Sequence, residues 1–374
     1  GAAGRRWRQL DVRERRLFLG LLVLVSLPFV IGALTAWRSG YYPSGDDGFI
    51  LMGTRRVFSP QLPLTGELTS SEKFGVDSYH PAPVVFFLQA PFVAVLGERL
   101  GMLASAAVAG ALSMQAIGYV TLRTAGLRRA IWAWLVVVTM GVSIGGMAFL
   151  YRPFKSVVAV LPLMLFLFAA WAVASGKLSL TPILVVAACF PAGSSAQYVT
   201  FVAAVAGVTL IVVVLRRWTD RAPPGGDGSV PPIDDGRPGV GARLRGLAPR
   251  TRQGWTTVGL SVALGLVAWG LPLYEAAING GGNLRQLYRA AKAATGETVG
   301  VPHALTDGAR ALLFNPAITR AEQAGSARGA AVVAVVLVVL AVAVLVAAWP
   351  RLSSADRLLQ LVAGVAVAAT MYAV

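Results

Sequence analysis

Two adjacent carboxylates, Asp46 and Asp47, sit in the stretch Ser44-Gly45-Asp46-Asp47-Gly48-Phe49-Ile50. Such a pair suits two kinds of chemistry. It can hold a divalent cation such as Mg or Mn through oxygen. It can also divide labour, one carboxylate accepting a proton while the other orients a group. A structural reading stands beside both: an Asp ahead of an apolar stretch caps a helix by accepting backbone N–H bonds. Phe49, Ile50, Met52, Gly53 and Val57 follow with helical spacing. The readings are compatible, because a cap also holds a catalytic carboxylate rigidly.

Two further groups carry chemistry. In Tyr79-His80-Pro81-Ala82-Pro83, His80 suits an anion or a leaving group, with Tyr79 beside it. The alternative is a turn in which the prolines set the path into the following apolar run. Tyr151-Arg152-Pro153-Phe154-Lys155 places two cations between two apolar runs. Arg152 offers a bidentate fork and Lys155 a point charge, which together suit phosphate. Snorkelling to lipid headgroups is the alternative.

Weaker signals complete the set. Arg55 and Arg56 follow the acidic pair and fit a helix face at headgroup level, with Arg55 also a substrate-lining residue. Gln197 closes the polar break Gly193-Ser194-Ser195-Ala196-Gln197, which reads as a turn or a cavity lining. Glu275 lies near the end of an apolar run, where a carboxylate is costly and therefore suggests function or an Arg partner. His303 and Asp307 fall in the polar stretch 279–328 without forming a motif.

Absences narrow the field. No GxxxxGK[ST] or HExxH pattern occurs, which argues against P-loop hydrolysis and zinc proteolysis. With two His and one Cys, a zinc or haem centre is not expected. Cys189 lies alone in an apolar run and has no internal disulfide partner.

The elements that must position these residues follow from composition. The chain has 374 residues, 56% hydrophobic and 13% charged. A typical soluble domain has about 45–50% apolar and about 25% charged residues. Mean hydropathy is +0.67. A soluble fold and a disordered chain are both excluded. Apolar runs recur at 17–37, 83–96, 100–122, 130–150, 156–175, 178–190, 198–215, 255–278, 329–349 and 358–374. In lipid the backbone must pair internally, so these runs predict helices. The expected fold is all-α: one polytopic transmembrane bundle over 1–374, of about nine crossings, with an interfacial helix in the first outer loop.

Charge sets the parity. The net charge is +16, from 33 basic and 17 acidic residues. Nucleic acid is not the expected partner, because the basic residues lie mainly between apolar runs, as the positive-inside rule requires. The run 83–96 is short and contains Pro91. If it spans, the Arg-rich segments 123–129 and 216–252 fall outside. If it is interfacial, they join 5–16, Arg351 and Arg357 on the cytoplasmic side. The second parity is preferred. It puts the N-terminus in the cytoplasm and 38–99, 151–155, 191–197 and 279–328 outside. The loop 216–254, rich in Pro, Gly, Asp and Arg, reads as a disordered basic cytoplasmic tether. The last apolar run reaches Val374 without a polar segment after it, which suggests that a C-terminal remainder is missing.

The order of these features resembles the GT-C superfamily of integral-membrane glycosyltransferases. The resemblance covers residues 10–175. It rests on the basic start, one crossing, Asp46-Asp47 in an outer loop, Ser78-Tyr79-His80-Pro81-Ala82-Pro83, and the aromatic helix Phe86-Phe87-Leu88-Gln89-Ala90-Pro91-Phe92. The segment is similar to the protein mannosyltransferase and aminoarabinose transferase branches, where an acidic pair precedes a His-Pro-Pro-like sequence; here Ala82 replaces the second Pro. Bacterial arabinofuranosyltransferases are similar in their early Asp-Asp.

The resemblance implies a sugar donor on polyprenyl phosphate and a glycan, lipid or protein acceptor of the cell envelope. It implies Asp46 or Asp47 as general base, with a divalent cation possible at that pair. Arg152 and Lys155, assisted by His80, would neutralise the leaving phosphate. Transfer would invert the anomeric centre on the outer face of a bacterial plasma membrane. Abundant Arg, Ala, Gly and Val with few lysines resembles a GC-rich, actinobacterial composition. A transporter or flippase for an envelope lipid or glycan precursor is the alternative. Transporters carry inverted repeats and midplane polar sites, whereas the polar groups here gather on one face. A silent scaffold is a third reading.

Overall fold

A computed structural model describes residues 10–145, 149–219 and 251–294 of the protein. The runs 329–349 and 358–374, most of the loop 216–254, and 295–328 with His303 and Asp307 lie outside the described residues. Within them the chain is helical, with one isolated bridge between Leu68 and Tyr79 and no other β-structure. The helices are α1 (Val12–Arg38), α2 (Asp46–Arg56), α3 (Val84–Leu96), α4 (Glu98–Ala125), α5 (Leu127–Gly145), α6 (Lys155–Val158), α7 (Val160–Ala174), α8 (Thr181–Ser194), α9 (Gln197–Thr219), α10 (Arg252–Ile278) and α11 (Gly282–Ala294). Among the described residues, five helical stretches are long and apolar enough to cross a membrane: α1, α4, α6 with α7, α9 and α10.

Helix α1 starts where Asp11 and Glu14 form a reciprocal capping box. It packs antiparallel to α4. Trp37 and Tyr41, at its end, lie against Arg99 at the start of α4, while Gln115 reaches Ser26 and the Leu22 carbonyl farther along. Between apolar helices in lipid, close approach of small residues replaces the hydrophobic drive as the source of cohesion. Gly110 admits the ring of Phe29, and Gly118 admits the indole of Trp134, whose N–H donates to the Met114 carbonyl at 2.6 Å. The ring of Phe18 stacks on Trp134 at 5.5 Å. Much of α1 and α10 presents exposed Leu, Val and Ile, as a lipid-facing surface would.

The short helix α3 does not carry the chain from one end of the bundle to the other. At its start, the Ala82 N–H donates to the Gly193 carbonyl at the end of α8. Just past its end, Arg99 donates to the Tyr41 carbonyl, beside the start of α2. Both ends of α3 thus lie at one end of the bundle, and α4 sets out from the end at which α1 arrived. The predicted helix over 83–96 is present, and it lies along that end. A small apolar cluster of Ile50, Leu51, Val85, Phe86, Met102 and Val158 fastens α2 and α3 to α4 there.

Candidate active site

The segments predicted to share one face meet around a single large cavity of about 1440 Å³. Ligand pockets commonly measure about 300–1,000 Å³, so this one has room for more than one small molecule. Asp46, Tyr79, His80, Lys155 and Gln197 line it, from α2, the 64–83 segment, α6 and the α8–α9 break.

The acidic pair is divided by helix geometry. Neither Asp is the N-cap: that position is Gly45, at a φ of 55°, and both carboxylates fall in the first turn of α2. There the helix dipole favours negative charge. Successive helical residues point about 100° apart. Asp46 is exposed and borders the cavity, whereas Asp47 is buried. The Tyr41 hydroxyl donates to Asp47 Oδ2 at 3.1 Å, while Asp47 Oδ1 is buried without a protein partner. Burial pushes the Asp47 carboxyl above its ordinary range. The Tyr41 hydrogen bond and the Arg152 charge pull it back in part, and Asp46 adds to the rise. Burial and Asp47 hold the Tyr41 phenol far above its usual value, so it remains a donor.

The carboxylates therefore do not converge on one point. Among the described residues no group of three His, Cys, Asp or Glu comes together. The pair does not fit a shared cation site.

The two cations of the 151–155 loop also part. The Arg152 guanidinium is exposed, lies over the Phe154 ring at 5.4 Å and acts on Asp47. Lys155 opens α6 and forms an ion pair with Glu67, both side chains being largely buried. Glu67 gives the loop cation an internal partner. An ammonium has three donor protons, so Lys155 keeps donors for the cavity that it lines. Nothing in the local sequence marks Glu67, which stands 88 positions away.

The segment 64–83 is a folded strap. Gly66 and His80 are joined by N–H to carbonyl bonding at 2.9 Å, the His80 N–H reaches the Glu67 carbonyl, and Thr69 pairs with Ser78. The Thr69, Ser71 and Ser78 hydroxyls form a closed triangle with edges of 2.7 to 2.8 Å. His80 is buried, and its Nδ1 accepts from the Ala196 N–H at 3.3 Å. Burial lowers its pKa to about 4. The ring is thus neutral at pH 7, and its Nε2 carries the proton. The polar break at 193–197 both turns the chain and holds His80.

Gln89, buried in α3, ties the site together. It accepts from the Thr54 hydroxyl of α2 at 3.1 Å and donates to the Pro153 carbonyl at 3.2 Å. One side chain thus links the helix bearing Asp46 to the loop bearing Arg152. Arg55 instead pairs with Glu98, and its neighbour Arg56 lines the cavity. Glu275 lies outside the main cavity. It accepts from the Asn283 N–H and from the Asn279 amide, fixing the corner between α10 and α11. Asn283 in turn grips the Tyr79 backbone, accepting from its N–H at 2.7 Å and donating to its carbonyl at 2.9 Å.

No protein-family model, curated protein or solved structure matches this chain.

Proposed function

We propose that the protein is a membrane glycosyltransferase that moves a sugar from a polyprenyl-phosphate donor to an envelope acceptor. The supporting observation is the juxtaposition of an exposed carboxylate, Asp46, and an ammonium, Lys155, on one cavity at one end of an apolar bundle. The chain crosses a bacterial plasma membrane about nine times, with a cytoplasmic N-terminus and this cavity on the outer face. The described helices α1, α4, α5, α7, α8, α9 and α10 supply the first crossings in this reading, and the runs 329–349 and 358–374 the last two.

In the reaction, the acceptor hydroxyl oxygen bonds to the anomeric carbon as the carbon–oxygen bond to phosphate breaks. The hydroxyl proton passes to Asp46, and the bond pair leaves with the polyprenyl phosphate. Attack opposite the leaving group inverts the centre. Lys155, which lines the cavity, stabilises charge as it develops on the phosphate, while Arg152, which does not line it, acts through its charge on Asp47. His80, neutral, donates from Nε2. Asp47 supports the site from behind, held by Tyr41 between Asp46 and Arg152. The donor arrives activated, in keeping with a chain that carries no nucleotide-binding motif.

The test is reconstitution in lipid with a panel of radiolabelled polyprenyl-phosphate sugars and envelope extracts as acceptors. Turnover of one donor, with release of polyprenyl phosphate, is expected. Movement of an intact lipid-linked sugar across the bilayer without bond cleavage would support transport instead.

A further inference from the structure

A second recess, of about 410 Å³, lies beside the main cavity. The two share Thr65 and Tyr79 as walls. Its lining differs from everything else at this end of the bundle. Apart from Tyr79 it consists of polar side chains and glycines, with no aliphatic residue. Asp77 and Glu275 are balanced by Arg285 and Arg289, with Gln286 between them in sequence.

The recess is framed by a tight turn and by hydrogen bonds between elements. Three successive glycines, 280 to 282, have φ of 58°, 97° and 36°. That is backbone that residues with a Cβ adopt only with strain. They fold α11 back from the end of α10. The Glu275 carboxylate occupies the space in which a Cβ on Gly282 would stand. The double bond from Asn283 fixes the Tyr79 backbone. Tyr79 is half-exposed, so its ring is available as a fixed platform between the two spaces.

The chemistry of the lining selects the ligand class. A lipid tail finds no apolar wall. A phosphate or carboxylate meets two acids as well as two guanidinium groups. A neutral polyhydroxyl chain finds carboxylate, amide and guanidinium partners, and hydrogen bonds to charged groups are the stronger ones. An aromatic ring beside such groups suits the apolar face of a sugar.

We propose that this recess is a subsite for a neutral oligosaccharide, holding sugar units of the acceptor that lie behind the reacting one. The chain of the acceptor passes over Tyr79 from Asp77, Arg285 and Arg289 towards Asp46. This rests on the glycosyl-transfer reading and makes the acceptor a glycan, not a protein or a simple lipid.

The experiment measures binding without turnover. Whole protein in lipid nanodiscs is titrated with manno- and arabino-oligosaccharides of increasing length, and with inorganic phosphate, by saturation-transfer NMR and calorimetry. One neutral series is expected to bind. Asp77→Ala and Arg289→Ala should each weaken it at least about tenfold, and the milder Arg285→Gln should weaken it too. Arg128→Ala, which removes an exposed charge at the start of α5 and away from both spaces, should change it less than about threefold. The inference is overturned if no neutral oligosaccharide binds, if the recess variants bind like the parent, or if phosphate competes for the same site. Should the sugars bind as expected while no polyprenyl-phosphate donor turns over, the transferase reading fails and the subsite stands.

Discussion

The two ends of the packing problem are solved differently in this molecule. The apolar bundle is held by rings seated against small residues, as Phe29 against Gly110 and Trp134 against Gly118. The cavity end is held by buried polar groups: Glu67 with Lys155, Gln89 with Thr54 and Pro153, Asn283 with Tyr79, and Tyr41 with Asp47. Lipid offers helices no hydrophobic reason to associate, so the bundle depends on fit. The cavity end must hold charges in fixed places, so it depends on satisfied partners. The first should fail through overpacking, the second through orphaned partners.

The largest expected structural effect is at the largely buried Glu67–Lys155 ion pair. Glu67→Ala strands the Lys155 ammonium and should cost roughly 3 kcal/mol or more. The double variant Glu67→Leu with Lys155→Met should recover much of the thermal stability yet transfer sugar about a hundredfold more slowly. Recovery of both would mean that Lys155 serves only the fold.

Next is a pH effect at His80. Its folded pKa of about 4 lies below the ordinary 6.5. Between these values the unfolded chain binds the extra proton, so stability rises with pH across that window. As pH falls from 6.5 towards 4, the protein should lose up to about 3 kcal/mol, and no more from this group below that. Melting curves at several pH values should show a steeper acid loss for the parent than for His80→Gln.

The bundle should break differently. A side chain at Gly118 overlaps the Trp134 indole. Gly118→Val should therefore cost about 1–3 kcal/mol by overpacking, lowering Tm while leaving turnover per folded molecule unchanged. The smallest effect is expected at Arg55. Its pair with Glu98 is exposed, with 57% and 41% of the two side chains accessible. Arg55→Ala should change stability by less than about 1 kcal/mol, and a larger drop in Tm would show that the pair fastens α2.

Much of the architecture was legible in the sequence because lipid imposes a simple rule of apolar length and charge placement. The helix over 83–96 was marked by its shortness and by Pro91. Asp46, Asp47, His80, Arg152 and Lys155 stood out because charge is scarce. Their division did not. That Gly45 and not an Asp caps α2 depends on a backbone angle, and the caps that sequence suggests are side chains. Tyr41, Glu67, Gln89 and Asn283 carried no local signal, since their partners lie on other elements. Asn283 and Tyr79 are 204 positions apart. The runs 329–349 and 358–374 and residues 220–250 of the basic loop lie outside the described residues.

In the proposed reaction Asp46 removes the acceptor proton while Asp47 only supports it. The most direct measurement is single-turnover transfer from the active polyprenyl-phosphate donor by Asp46→Asn and Asp47→Asn, beside the parent. A loss of about a thousandfold is expected for Asp46→Asn, within the range of general base catalysis. Asp47→Asn should lose less and show a higher Tm, because a buried charge is removed. Equal transfer by Asp46→Asn and the parent would contradict the role given to Asp46.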